Sequence, residues 1–267
     1  MRALWWLPRA LILGGLAFVI FGPLLNLLLW TVAERWFWPN ALPTQWGFSY
    51  WERVFSPRGN TWEALRNSVL VACLTVTLSL SLAIPAGYAL ARLPLPARAL
   101  ILIAFLLPQA FPNLPVYVNI ARLFYQVGLN GTIAGVVLVH TTHGLVFAVW
   151  IATAAFAAVG RDLEEAARSV GAGPFRAFRD VTLPLALPGL MASAIFVFLE
   201  SLDEFTGSYF VGAPDVAMLP LMLYTAGAGG NYQIASIAAV VLLVPSILFM
   251  LVVERFLRAD VLARIGK

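Results

Sequence analysis

Long apolar runs without a formally charged side chain constrain the fold of this chain more than any other feature. Six runs of 19 to 38 residues contain no Asp, Glu, Lys or Arg: 10–33, 67–91, 99–121, 123–160, 181–199 and 216–253. About twenty apolar residues are enough for a helix to cross the hydrocarbon of a bilayer. We therefore predict six transmembrane helices, at roughly 10–32, 67–91, 99–121, 132–156, 184–209 and 234–255.

Composition independently indicates a lipid environment. Apolar residues make up 61% of the 267 and charged residues 11%, and so few charges cannot cover a soluble globule of this length. A Walker A phosphate loop needs a lysine followed by Ser or Thr, but the only lysine is Lys267. We therefore expect the chain not to be a P-loop ATPase itself. The single cysteine, Cys73, excludes an internal disulfide.

The distribution of basic residues predicts the orientation of the spans. Basic residues next to span ends are retained in the cytoplasm. Twelve of the 17 cations fall on one side of the predicted topology: Arg2, Arg9, Arg92, Arg98, Arg161, Arg168, Arg176, Arg179, Arg255, Arg258, Arg264 and Lys267. We expect this side, with both termini, to be cytoplasmic. The first apolar run is too long for a cleaved signal peptide and is expected to stay as an anchor, so residues 1–267 are interpreted as one transmembrane domain.

Between the fourth and fifth predicted spans the sequence turns abruptly polar, with eight of the thirty charges between Arg161 and Asp180. Asp162 is expected to cap a short helix. Gly171 and Gly173 then permit a tight reversal, and Pro174 starts a second short helix. The apolar members of this segment have no bilayer to enter and are expected to stay partly exposed: Leu163, Ala166, Ala167, Val170, Phe175 and Phe178. A partner protein that covers them is the economical explanation, and a solvated amphipathic loop is the alternative.

The spacing within this segment resembles a known pattern. Glu165-Ala166-Ala167 is followed after three residues by Gly171, after nine more by Val181, and then by Leu183-Pro184. This order is similar to the coupling loop of binding-protein-dependent ABC importer permeases of type I, in which Ile most often stands where this chain has Val181. The resemblance covers nearly the whole chain. It implies an all-α membrane fold of six transmembrane helices with a cytoplasmic coupling helix-turn-helix at 160–183.

The resemblance also implies a function. Such a chain is a non-catalytic subunit of an ATP-driven importer in the bacterial cytoplasmic (inner) membrane. The expected partners are a second, related permease chain, two cytoplasmic ATP-binding subunits, an extracytoplasmic solute-binding protein and membrane lipid, without nucleic acid. No cofactor is expected on this chain, since ATP and Mg would be held by the ATPase subunits. The implied ATPase-coupling residues are Glu164, Glu165, Ala166, Ala167, Gly171, Gly173, Phe175, Leu183 and Pro184.

Ionisable groups inside a membrane span are functional candidates because their burial is costly. Glu200, Asp203 and Glu204 are three and four residues apart, which would place them on one helical face along the solute pathway. There they could attract a cation. The alternative is that they pair with a basic residue such as Arg122, or accept hydrogen bonds from the backbone at a helix break.

Three prolines interrupt the third predicted span, where a helix must kink or open: Pro108, Pro112 and Pro115. Broken helices in transporters line cavities, so Gln109, Asn113 and Tyr117 are candidate solute contacts. Their alternative role is to satisfy carbonyls freed by the prolines. For His140 and His143 in the fourth span, hydrogen bonding between helices is expected rather than metal binding, because a third ligand is missing.

The sequence leaves two hypotheses for the class of solute. The phrase ESLDEFTGSYFVGAPDVAMLPLMLY, which begins at Glu200, resembles polyamine-type permeases most, and sugar-type permeases of the maltose or trehalose kind resemble it too. A small polar or cationic solute such as a polyamine is the main expectation, and a carbohydrate is the alternative. An intramembrane enzyme is disfavoured, because the sequence lacks a recognisable nucleophile or metal motif.

Overall fold

The fold is helical almost throughout in a computed structural model that describes the backbone of residues 6–265 and the side chains of residues 9–255. Of the predicted cytoplasmic cations, Arg2 and Lys267 lie outside the described residues, as do the side chains of Arg258 and Arg264. The helices are α1 (Trp6–Thr31), α2 (Ser49–Phe55), α3 (Thr61–Arg92), α4 (Arg98–Ala110), α5 (Asn113–Gln126), α6 (Ile133–Ala158), α7 (Arg161–Ser169), α8 (Pro174–Ala177), α9 (Leu183–Asp203), α10 (Leu219–Ala228) and α11 (Tyr232–Ile265). Two short strands, β1 (Ala33–Arg35) and β2 (Gln45–Trp46), pair antiparallel after α1.

The predicted spans agree with the helices except at the third and fifth. Within residues 6–265, five helical segments are long and apolar enough to cross a membrane: Arg9–Thr31, Thr61–Arg92, Ile133–Ala158, Pro174–Asp203 and Tyr232–Arg255. Helices α4 and α5, in the region of the third predicted span, pass the same test only as a pair and meet at a bend of 91°, so the number of spans is six if this pair counts as one.

The third span is therefore not the single helix predicted at 99–121. Helix α4 ends at Ala110, and Phe111 is extended, with φ −95° and ψ 147°. A residue that precedes proline is pushed out of the helical region by the ring of that proline, and Pro112 follows Phe111. The expected opening is thus a complete break, located at the second of the three prolines.

The fifth span ends earlier than predicted. Helix α9 ends at Asp203 rather than at residue 209, because Glu204 has an extended backbone with ψ 99°. A π-helical turn at Ser208–Gly212 follows the break. Helix α10 and the two strands have no counterpart among the predicted spans, since each is too short to give a long apolar run.

Contacts divide the chain into two compact units. One unit holds the chain up to Trp62 together with Met222–Val241. In it, α1 exposes apolar side chains such as Phe18 (76% exposed), as a helix surrounded by lipid does. At the end of α1, Trp30 stacks on Trp36 at 4.5 Å, and the indole of Trp51 donates to the Thr31 carbonyl at 2.8 Å. Clustered aromatics of this kind are typical of the membrane interface.

The other unit, Glu63–Leu221 and Leu242 onward, is built on small residues that let helices approach closely. A Cβ atom added at Gly189 of α9 would lie 2.5 Å from the Cβ of Ala155 in α6. A Cβ at Gly87 of α3 would lie 2.8 Å from the Cβ of Ala152 in α6. The apolar core, with Phe156 and Val197 fully buried, forms around these contacts. Helix α6 is therefore the central element of this unit.

Replacing Gly189 by alanine should force α6 and α9 apart. We expect Gly189→Ala to cost about 1–3 kcal/mol, the usual range for overpacking, seen as a lower thermal unfolding temperature of the purified chain in detergent. Gly14→Ala in α1 is the matched control, because nothing lies within 4 Å of a Cβ added there. Equal unfolding temperatures for the two variants would contradict the close packing.

Candidate functional site

A helix-turn-helix formed by α7 and α8 joins α6 to α9. Gly171 has φ +91°, a left-handed conformation that glycine adopts without a Cβ penalty. Around it, the amide of Ala172 donates to the carbonyl of Ala167 at 3.1 Å and closes the end of α7. Pro174 is the first residue of α8, and the backbone continues through a π-helical turn, Phe178–Thr182, into α9. The predicted reversal between two short helices is confirmed.

The predicted cap of α7 is wrong. The residue before the helix is Gly160, whose extended backbone (φ −59°, ψ 135°) starts α7 at Arg161 without a side-chain cap. Asp162 is therefore the second helical residue, so it lies in the first turn and faces the positive end of the helix dipole from there.

The outer surface of the helix-turn-helix is partly apolar. Val170 is 87% exposed, Phe175 73% and Leu163 44%. A cleft of about 260 Å³ in the same segment is lined by Ala167, Val170, Gly171, Ala172, Arg176, Ala177, Asp180 and Val181. Large exposed apolar side chains beside a run of charged residues mark an interaction surface. We call the exposed side chains of Leu163, Val170 and Phe175 the docking surface.

The predicted coupling residues divide into exposed and inward-facing groups. Glu165, Ala166 and Gly173 are exposed, and Ala167 is half-buried. Leu183 and Pro184 are half-buried at the start of α9, where Leu183 packs against the core formed by α3, α6 and α9. Phe178, expected to be partly exposed, is half-buried and packs edge-on against Tyr88 at 4.8 Å between ring centroids.

Glu164 is buried and paired within the chain. Its Oε1 accepts hydrogen bonds from the Thr182 hydroxyl at 2.6 Å and from Arg92 Nε at 2.9 Å, and its Oε2 accepts one from the Tyr88 hydroxyl at 3.3 Å. Burial raises the pKa of Glu164, but the hydrogen bond from Thr182 and the charge of Arg92 outweigh it and hold the pKa below its ordinary value. Glu164 is therefore ionised at neutral pH and faces its own helices.

A second polar cluster lies buried where α5, α6 and the end of α9 meet. The Tyr117 hydroxyl donates to Glu204 Oε2 at 2.9 Å and lies 2.8 Å from Nδ1 of His143. Nε2 of His143 is 3.2 Å from Oδ1 of Asn113. The backbone amide of Gly207 donates to Glu204 Oε1 at 2.8 Å. Both carboxylate oxygens of Glu204 thus have partners inside the protein.

His140 extends this cluster by one helical turn. Its Nδ1 is 2.8 Å from the Ser201 hydroxyl, and its Nε2 is 2.9 Å from the Ser208 hydroxyl. The expected hydrogen bonding of both histidines between helices is confirmed. The sequence analysis did not identify these two serines as partners of His140. Their signal in the sequence is their position alone, with Ser201 before the helix break and Ser208 after it.

The three acidic residues differ in exposure. Glu204 is 8% exposed, whereas Glu200 is half-buried and Asp203 is exposed. Glu204 is the capping residue of α9: its φ of −72° is still helical and its ψ of 99° is extended, so the backbone turns after the Glu204 Cα atom. The alternative of a carboxylate bonded to backbone at a helix break holds for Glu204.

The remaining pathway candidates lie around the break between α4 and α5. Gln109 and Asn113 are exposed, and Tyr117 is fully buried. Asn113 contacts the polar cluster through His143. Gln109 lies in α4, before the break, and is not part of that cluster. Tyr117 and Glu204 therefore bind each other inside the protein, whereas Gln109, Asn113 and Asp203 are exposed and Glu200 is half-buried.

Comparison with known proteins places these features in a family. The pattern of the family described as "Binding-protein-dependent transport system inner membrane component" matches residues 83–260. The chain belongs to this family. The matched stretch includes both the helix-turn-helix and the buried polar cluster.

Relatives with assigned names cover most of the chain. The trehalose transport system permease protein SugB of Mycobacterium tuberculosis is 31% identical over 222 residues, which cover 81% of this chain and 80% of SugB. The diacetylchitobiose uptake system permease protein NgcG of Streptomyces coelicolor is 35% identical over 170 residues, 62% of this chain and 55% of NgcG.

Solved structures share the fold. A bacterial alginate ABC transporter, crystallised in complex with an alginate pentasaccharide-bound periplasmic protein, matches with a TM-score of 0.69 and 16% identity over 96% of this chain and 95% of that chain. An inward-facing MetNI methionine ABC transporter matches with a TM-score of 0.60 and 22% identity over 79% of this chain and 96% of that chain. The predicted all-α fold of an ABC importer permease is confirmed.

Removing the Tyr117 hydroxyl should destabilise the junction of α5, α6 and α9. We expect Tyr117→Phe to cost about 1–3 kcal/mol, because Glu204 Oε2 and His143 Nδ1 would each lose a buried partner. Thermal unfolding in detergent measures the loss. Tyr125→Phe is the matched control, since Tyr125 lies on the same helix and is 79% exposed. A Tyr117→Phe variant as stable as this control would refute the cluster.

Proposed function

We propose that this chain is the permease subunit of an ATP-driven importer, in which it forms half of the solute pathway and performs no covalent chemistry. The observation that carries the proposal is the docking surface on the helix-turn-helix between α6 and α9. Val170 and Phe175 are too exposed, at 87% and 73%, for a segment with no partner. A solvated loop, the alternative interpretation, gives no reason for apolar side chains at these positions.

The partners follow from this role. Two cytoplasmic ATPase subunits would receive the docking surface and hold ATP and Mg, a second permease chain of related sequence would complete the pathway, and an extracytoplasmic protein would deliver the solute. The alginate transporter with the same fold was crystallised with a solute-bound periplasmic protein, which supports this last partner. The basic residues flanking the loop support its cytoplasmic placement, with both termini on the same side of the inner membrane.

The coupling step is a change of population between two states. ATPase closure would move α7 and α8 and favour an outward-open pathway, and hydrolysis would restore the inward-facing one. Glu165 is suited to polar contact with the ATPase because its side chain is exposed next to Ala166. Gly171 provides the turn that holds the two docking helices together.

A charge placed on the docking surface should weaken ATPase binding. We expect Val170→Asp to abolish or strongly reduce co-purification of a P-loop ATPase with the chain, when all subunits are co-expressed and extracted in detergent. The matched control is Ser169→Asp, which adds the same charge at the neighbouring residue, whose hydroxyl bonds back to the Glu165 carbonyl at 2.9 Å. Failure of the unmodified chain to retain any ATPase would count against the proposed function.

For the solute we favour a carbohydrate. Two relatives are named for trehalose and diacetylchitobiose transport. In addition, Glu204 already binds Tyr117 and the Gly207 amide, so one of the three carboxylates that would attract a polyamine is occupied. A polyamine is the second candidate, because Glu200 and Asp203 lie in the same segment and are not fully buried.

Competition in vesicles that contain the complete transporter separates the two solute classes. We expect unlabelled trehalose to inhibit radiolabelled trehalose uptake, putrescine not to inhibit it, and the double variant Glu200→Gln, Asp203→Asn to keep trehalose uptake. Neutral sugars gain nothing from two negative charges, whereas cations do. If the parent transporter instead takes up putrescine and the double variant loses that uptake, the polyamine hypothesis is established.

A further inference from the structure

One ion pair joins the helix-turn-helix to the spans. Glu164 of α7 binds Arg92 at the end of α3 at 2.9 Å, and Arg92 Nη2 also donates to the Val159 carbonyl, just after α6, at 3.0 Å. Thr182, directly before α9, donates to the same carboxylate oxygen of Glu164. The end of α3, the end of α6, the beginning of α9 and the middle of α7 therefore meet at one ion pair.

Burial distinguishes this pair from the other ion pairs of the loop. The side chains of Arg92 and Glu164 are 8% and 9% exposed, whereas Arg176 and Asp180 are 74% and 41% exposed. An exposed pair contributes little, because water and salt screen it. Breaking a buried pair leaves an uncompensated charge away from water and is strongly unfavourable. The Glu164–Arg92 pair thus resists separation of α7 from α3, and the Arg176–Asp180 pair does not.

Two further contacts act in the same place. Arg161 at the start of α7 donates through Nη2 to the carbonyls of Ala91 and Arg92 at 3.3 Å, so it covers the end of α3. The ring of Phe178 packs against Tyr88 of α3 and, at 6.0 Å, against Phe156 of α6. Polar and apolar contacts therefore hold the inner side of the helix-turn-helix against α3 and α6.

We propose that Glu164 and Arg92 clamp the helix-turn-helix to α3, so that the two move as one rigid body when the ATPase subunits close. The proposal rests on the proposed function, which supplies the moving partner. It assigns different work to adjacent carboxylates: exposed Glu165 faces the ATPase, and buried Glu164 is a positioning residue that passes the displacement to the spans. A push on α7 then reaches α3 directly and α9 through Thr182.

Spin-label distances in the assembled transporter test this clamp. Labels are attached at Ser169→Cys at the end of α7 and Leu82→Cys in α3, which are both exposed and lie outside the docking surface, in a Cys73→Ser background because the Cys73 thiol is exposed. The distance is measured by pulsed electron paramagnetic resonance in nanodiscs, without nucleotide and after trapping with ATP and vanadate. We expect the same narrow distance distribution in both states for the chain with intact Glu164 and Arg92.

Variants show whether the ion pair is the cause. Glu164→Gln should broaden the distribution and shift it on trapping, and Thr182→Val should do so more weakly, since it removes one hydrogen bond and keeps the charges. Asp180→Asn, which breaks only exposed ion pairs, should behave as the parent chain. If Glu164→Gln does not assemble, the Thr182→Val variant and the parent chain still decide the question.

Two results would overturn the clamp: a Ser169–Leu82 distance that changes on trapping in the parent chain, or Glu164→Gln and Thr182→Val distributions identical to that of the parent. Failure of the proposed function is distinguishable. In that case no ATPase binds the parent chain, and the effect of Glu164→Gln on the width of the distribution is still measurable in the isolated chain.

Discussion

A polar group that enters the hydrocarbon must find its partner inside the protein, and this constraint decides how the chain can interrupt its helices. After Asp203 the backbone leaves the helix, which frees carbonyl and amide groups. Glu204 accepts a hydrogen bond from the Gly207 amide, and the Ser208 hydroxyl donates to the Glu204 carbonyl at 2.9 Å. The break is tolerated because the side chains that repair it come from within five residues and from two neighbouring helices.

The spans could be predicted from the sequence because their signal is local. The length of a charge-free run of about twenty residues directly predicts a membrane-spanning helix. In the polar segment after residue 160, Gly171 and Pro174 predict the turn. The break at Pro112 was foreseen only as a distortion. Three prolines lie close together there, and the local sequence does not indicate which of the three ends the helix. The predicted helix boundary was wrong at the end of α9, where side chains from neighbouring helices hold the break.

The direction of a side chain was the part that the sequence could not supply. Glu164 and Glu165 are consecutive glutamates. Only the residues that surround each of them in the folded chain determine that Glu164 is buried and paired and that Glu165 is exposed. The same holds for Glu204 and Asp203. A spacing rule for helices assigns residues to one face, but it does not say how deeply each side chain is buried, and Glu200, Asp203 and Glu204 differ in that respect.

Helix α9 connects the two polar clusters. It begins directly after Thr182, which binds Glu164, and ends beside Ser201 and Glu204, which bind His140 and Tyr117. At about 1.5 Å per residue, its 21 residues span roughly 30 Å. Between its ends, α9 packs on α6 through Gly189 and Val197, where no larger side chain fits between the helices. Polar contacts therefore hold α9 at both ends and close packing holds it along its length, so under the proposed clamp a displacement of α7 would act on α9 as well as on α3.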